Sequence, residues 1–285
     1  MLWQGRQGSS NVDDRRGISG GGVLAGGGVI GVIVLLLNFF LGGGDASELP
    51  QVIQQGTQQQ QEMSPEQKAA DDQRAQFVKV VLKDTEDIWS DLFQKKGKTY
   101  TDPKMVLFRQ SVESACGGAS SATGPFYCPG DHKLYIDLSF YEELSKRFNA
   151  PGDFAMAYVV AHEVGHHVQT LLGTTEKVAQ IRGQMSKSEY NKYSVKVELQ
   201  ADFYAGVWAH YEKNMKKVIQ DGDVDEALNA ANAIGDDRLQ QESQGRIVPD
   251  AFTHGTSQQR MYWFKKGYET GDMDQGNTFS ANDLQ

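Results

Sequence analysis

One segment restricts the fold more than any other, the stretch Gly152 to Gly173, GDFAMAYVVAHEVGHHVQTLLG. It is apolar, contains no Pro, opens at a cap candidate, Asp153, and stops at Gly173, so it reads as a largely buried helix. Within it stand His162, Glu163 and His166. Two His four apart project from one face of a helix, close enough for both imidazoles to bind one Zn²⁺ at about 2.0–2.1 Å. Glu163 points to the side of that pair and suits a general base acting on a metal-bound water. Three polar groups in an apolar helix are costly to bury without partners, and a metal is such a partner. The alternative is a pair of histidines satisfied within the core.

A catalytic zinc usually has three protein ligands and one open position. His167 adjoins His166 but is turned about 100° around the helix, so it faces elsewhere. A better third ligand is acidic. Residues Ser188 to Asn214 form a second long helical pattern, with Glu198 and Asp202 four apart on one face. Ala201, Ala205 and Gly206 are small enough to let this helix approach a neighbour closely. Glu198 as ligand, with Asp202 holding a ligand His through its far nitrogen, is a coherent site. The alternative is a solvated carboxylate face.

His254 lies in FTHGTSQQR, where Thr256 and Gln259 suit a capping box opening the last helix. A loop His ahead of a helix can donate to the oxyanion of a tetrahedral intermediate. Arg260, one turn on, is placed to lock that loop or a carboxylate. A purely structural role for His254 stays open on this reading.

The second strong feature is Val23 to Leu41, 19 residues without a charge. At about 1.5 Å per residue such a helix matches the ~30 Å hydrocarbon layer of a bilayer. Arg6, Arg15 and Arg16 precede it and no Lys or Arg follows before Gln61, so the positive-inside rule puts residues 1–22 in the cytoplasm. The run is longer than the apolar part of a cleaved signal peptide, which favours an uncleaved signal anchor. Residues 42–63, rich in Gln, read as a flexible tether. Structure resumes at Ser64-Pro65-Glu66-Gln67, an N-cap, a first-turn Pro and a capping-box Gln. The expected organisation is therefore a cytoplasmic tail 1–22, a membrane span 23–41, a tether 42–63 and one extracytoplasmic, periplasmic domain 64–285, held at the inner membrane.

Composition narrows the function. A formal charge of −9 over 285 residues argues against nucleic acid as a partner, because phosphate neutralisation needs clustered Lys and Arg. A mean hydropathy of −0.51 excludes a polytopic membrane protein. Two cysteines are too few for a disulfide scaffold.

The set His162-Glu163-x-x-His166, Glu198-x-x-x-Asp202 and Thr253-His254 with Arg260 resembles the gluzincin metallopeptidases of the HtpX and prenyl-protein protease type. The whole chain is similar to the bacterial neutral zinc metallopeptidases called YpfJ-like. That likeness is carried also by Trp3-Gln4-Gly5-Arg6, Asn11 to Arg16, GPFYCPGD at 124–131, GDDRLQ at 235–240 and THGTSQQR at 253–260. It implies a helix-rich, zincin-like α+β fold with a small sheet, here preceded by one transmembrane helix. It also implies Zn²⁺ held by His162, His166 and Glu198, Glu163 as base, and His254 as transition-state donor. Gly255 stands where the HtpX-type pattern has Pro.

Two strand candidates, Lys104 to Phe108 and Leu134 to Leu138, precede the central helix. By the resemblance, Tyr135, Ile136 and Asp137 form the sheet edge that pairs with an extended peptide substrate. Cys116 and Cys128 bracket a Gly-rich stretch; in an oxidising compartment they can close a loop of about a dozen residues, the alternative being two free thiols. The resulting expectation is a membrane-anchored zinc metalloendopeptidase acting on peptides or proteins. Rival readings are a zinc-stabilised scaffold that cleaves nothing and a zinc amidase acting on cell-wall peptides.

Overall fold

A computed structural model describes residues 1–17 and 63–280. Helix α1 spans Pro65–Lys95 and begins as its sequence requires: the Ser64 hydroxyl accepts from the Gln67 amide, and the Gln67 side chain reciprocates at the Ser64 amide. Its apolar positions, among them Phe77, Val81, Ile88 and Trp89, are buried.

The larger sheet has the order β1-β2-β6-β5, from strands Val12–Asp14, Lys104–Phe108, Lys133–Asp137 and Phe126–Cys128. β1, β2 and β6 run parallel and β5 runs antiparallel to β6. A hairpin of β3 (Ser111–Ser114) and β4 (Gly117–Ser120) forms the second sheet. Strands β2 and β6 are covered on both faces, as parallel strands usually are. Met105, Leu107, Leu134 and Ile136 join the main core. Val106, Phe108 and Tyr135 point the other way, into a small cluster with Val112 and Cys128. The period of two along each strand sorts these side chains.

Helix α2 (Asp153–Leu171) runs through the main core, flanked by α1, α4 (Lys187–Tyr211) and α5 (Asp223–Ala233). The short α3 (Thr174–Ile181) links α2 to α4; α6 (Asp236–Gln244) and α7 (Ser257–Thr270) complete the chain. Helices α4 and α7 touch backbone to backbone through a reciprocal glycine pair. A β-carbon on Gly206 would lie 2.0 Å from the Phe264 carbonyl oxygen, and one on Gly267 would lie 2.1 Å from that of Phe203. Gly206 therefore serves the approach of α7, whereas α2 is met at Ala201.

The helix-rich α+β expectation needs correction at its membrane part. The run 23–41 lies outside the described residues, as does nearly all of the tether. Among the described residues no helix is long and apolar enough to cross a membrane. Over the described residues the fold is a helix-rich assembly with two small sheets. Residues 1–17 also overturn the single-pass placement. Val12–Asp14 pair with Met105–Leu107, the Met1 ammonium contacts Asp153 and Asp223, and Arg6 grips Asp84 through both terminal nitrogens. A segment that supplies a strand to a sheet lies on the same side of any membrane as that sheet. A cytoplasmic tail with the remainder in the periplasm is incompatible with this pairing.

Candidate metal centre

His162 and His166 leave α2 on the face that meets α4, and there Glu198 comes between them. His162 Nε2 is 3.2 Å from Glu198 Oε2, and His166 Nε2 is 3.6 Å from Glu198 Oε1. A donor atom from each of the three lies within 4.8 Å of the other two. Tetrahedral donors at about 2.1 Å from zinc are about 3.4 Å apart, so the spacing fits. So does the chemistry, two imidazoles and one carboxylate, all largely removed from water.

The approach of the two helices is set by Gly165, whose missing β-carbon would stand 2.8 Å from the Ala201 carbonyl oxygen and 3.0 Å from its Cα. Glu198 and Asp202 are brought to the histidines over this contact.

Both imidazoles are held by their far nitrogen. His162 Nδ1 meets Asp202 Oδ1 at 2.8 Å; His166 Nδ1 meets Gln169 Oε1 at 2.9 Å. With Nδ1–H engaged, each Nε2 lone pair faces Glu198 and the metal position. Asp202 is fully buried and fully used, accepting also from the Tyr158 hydroxyl at 2.6 Å and from Arg260 at 2.9 and 3.0 Å. Arg260 and the His162 ring hold its carboxyl down at about 2 against the burial that would raise it. Gln169 is anchored in turn, donating to the Val197 carbonyl at 2.6 Å.

The electrostatics describe a site that wants a cation. Burial alone would pull the His162 imidazolium down, yet Asp202 and Glu198 outweigh it and push it up to about 10. Glu198 is held well below the carboxylate range by His166, His254 and His162 in spite of burial. Glu163 goes the other way: burial raises it, with the two histidines and the Tyr127 backbone amide opposing. A carboxylate raised toward neutrality, beside a metal position, is suited to exchanging protons.

His254 is half-buried, pushed up by Asp236 and Glu198 against burial. Its partner was not legible beforehand. Asp236 Oδ2 accepts from the amides of Thr253, His254 and Gly255 at 2.7, 2.6 and 3.1 Å, and Oδ1 meets His254 Nδ1 at 3.1 Å. One carboxylate thus folds the turn and aims the ring. The only hint was GDD at 235–237 ahead of a helix. The predicted Thr256–Gln259 capping box is present. Asp153 is not a cap: Gly152 holds the N-cap position, and Asp153 pairs with the Met1 ammonium.

Tyr135, Ile136 and Asp137 are not a substrate edge. They sit in β6, paired to β2 on one side and β5 on the other, and all three are buried. Tyr135 gives its hydroxyl to Asp131 at 2.6 Å, and Asp137 takes the amides of Gln110 and Ser139 at 3.0 and 2.9 Å. Cys116 and Cys128 form a disulfide, S–S 2.00 Å. His167 does face away from the metal position, toward the sheet.

The profile of the family described as "Putative neutral zinc metallopeptidase" matches residues 1–279. The chain belongs to that family. The match includes the first seventeen residues, in line with their place in the sheet. The uncharacterized protein YpfJ of Escherichia coli K12 is 49% identical over 287 residues, covering 99% of this chain and 100% of the relative. An uncharacterized protein of Mycobacterium tuberculosis H37Rv, Rv2575, is 47% identical over 195 residues, 65% of each chain. No solved structure matches. Membership supports a zinc peptidase in general terms; the likeness to HtpX-type enzymes rests on motif spacing alone.

Proposed function

We propose that this protein is a zinc-dependent endopeptidase in which His162, His166 and Glu198 hold the metal and Glu163 is the general base. The observation that carries this reading is the convergence of two oriented imidazoles and one buried carboxylate, with a second, raised carboxylate one residue from a ligand. Zn²⁺ held there supplies a Lewis acid and a water acidified toward neutrality.

The chain's own residues do the rest. Glu163 takes a proton from the attacking water and hands it to the leaving amine. Asp202 and Gln169 keep both ligand rings aimed. His254, aimed by Asp236, donates to the carbonyl oxygen as negative charge builds on it. The sheet offers a different edge from the one expected. β5 ends the sheet beyond β6, and the Tyr127 backbone amide faces Glu163. An extended peptide pairing with β5 brings its scissile bond to the base.

The test is digestion of a peptide library by the zinc-loaded protein, with and without chelator. Internal cleavage that stops with chelator and returns with Zn²⁺ supports the reading. Stoichiometric zinc with no cleavage supports the scaffold, and cleavage confined to cell-wall peptides supports the amidase.

A further inference from the structure

His167 is the one histidine of HEVGHH that the metal site does not use. It is wholly buried, with Nε2 2.6 Å from the Thr101 carbonyl oxygen and Nδ1 3.0 Å from the Tyr127 hydroxyl. A carbonyl oxygen only accepts, so Nε2 carries the proton and Nδ1 accepts from Tyr127. The rings of Tyr100, Tyr127 and His132 pack around it at 5.6, 5.5 and 5.9 Å.

The spacing on α2 explains what this achieves. His162 and His166 form one i, i+4 pair, facing α4; Glu163 and His167 form a second, turned toward the sheet. Tyr127 of β5 spans that second pair, its backbone amide at Glu163 and its hydroxyl at His167. One residue of the edge strand is therefore fixed to the base at one end and to His167 at the other. The three-residue β5 has ladder bonds on one side only; on its other side the Tyr127 contacts tie it to α2, and the Cys116–Cys128 disulfide holds its end.

We infer that His167 is a positioning residue that acts through the Tyr127 hydroxyl, holding β5 at the distance from Glu163 at which a bound peptide presents its scissile bond. This rests on the endopeptidase reading and on β5 as the peptide-binding edge. It assigns to His167 a part in substrate binding without metal ligation.

The experiment compares three variants of the full, zinc-loaded protein. In His167→Asn the amide replaces the Nδ1 end and keeps the Tyr127 bond; in His167→Gln it replaces the Nε2 end and keeps the Thr101 bond; Tyr127→Phe removes the hydroxyl. With a peptide long enough to pair along β5, His167→Gln and Tyr127→Phe should raise KM about tenfold, the size of one lost hydrogen bond plus added strand disorder. Their kcat and zinc content should change less than about threefold, and His167→Asn should stay near wild-type KM. Equal effects of Asn and Gln, a wild-type KM in Tyr127→Phe, or activity falling in step with zinc would overturn the inference. Amide hydrogen exchange of residues 126–128 runs in parallel and needs no substrate. Faster exchange there in His167→Gln and Tyr127→Phe, with α2 still protected, supports the tie; unchanged exchange refutes it. A wild type that cleaves nothing fails the endopeptidase reading, while exchange still decides the role of His167.

Discussion

Gly165 and Ala201 bring the candidate metal centre together: at this point α2 meets the backbone of α4 with no side chain between them, 2.8 Å from a built Cβ to the Ala201 oxygen. Gly165→Ala must push α4 outward, and Glu198 and Asp202 move with it. Overpacking of this kind costs about 1–3 kcal/mol. We expect zinc affinity to fall at least about tenfold, as measured by competition with a chromophoric chelator, since ligand geometry is what the displacement disturbs. Wild-type affinity in Gly165→Ala would show that the contact is not what sets the site.

Asp202 orients His162 and neutralises Arg260 at 0% exposure. Asp202→Asn leaves the guanidinium without its counter-charge, a loss of about 3–5 kcal/mol by analogy with broken buried pairs. Zinc affinity should drop about 10–100-fold, the usual effect of losing a carboxylate behind a ligand His. Thermal unfolding and zinc titration on the same variant separate the two effects.

Asp236 is held low despite burial, chiefly by His254, while His254 is pushed up by Asp236. The Asp contribution to stability is present above its unfolded pKa of about 3.9 and lost as pH falls through the lower folded value. The His contribution is present below about 6.5 and lost as pH rises through the raised folded value. The difference in melting temperature between wild type and Asp236→Asn should therefore be largest between about pH 4 and 6.5 and shrink toward either side. A difference that does not change with pH would mean that Asp236 acts only through the three backbone amides.

Zinc that binds the folded chain alone stabilises it by mass action, about 4 kcal/mol at a thousandfold excess over Kd. Chelation should lower the melting temperature and re-addition of Zn²⁺ should restore it. An unchanged melting curve across the titration would argue against zinc binding to these residues in the folded state.

Spacing within helices was readable in advance. His162, His166, Glu198 and Asp202 are placed by i, i+4 geometry, and the capping boxes at Ser64 and Thr256 are local chemistry. Most of what is not legible depends on partners far along the chain. The Val-Asp-Asp of β1 carries no strand pattern, and only β2 makes it a strand. In the sequence Arg6, Arg15 and Arg16 stand as free charges ahead of the apolar run. In the fold Arg6 is paired with Asp84, Arg15 with Asp13, and Arg16 with Asp14, Asp71 and Asp72. The role of Asp236 is not legible because its three amide donors lie in a turn that begins seventeen residues later. The resemblance places the substrate edge on β6; β5, three residues beginning with a Phe after Gly-Pro, is too short to read as a strand.

Glu163 carries the proposed chemistry most directly. Glu163→Gln keeps the size and position of the side chain but cannot take a proton from water. Measured side by side with wild type, it should hold one zinc per chain at similar affinity and lose peptide hydrolysis by at least about a thousandfold. Hydrolysis by zinc-loaded Glu163→Gln at a rate comparable to wild type would contradict the assignment.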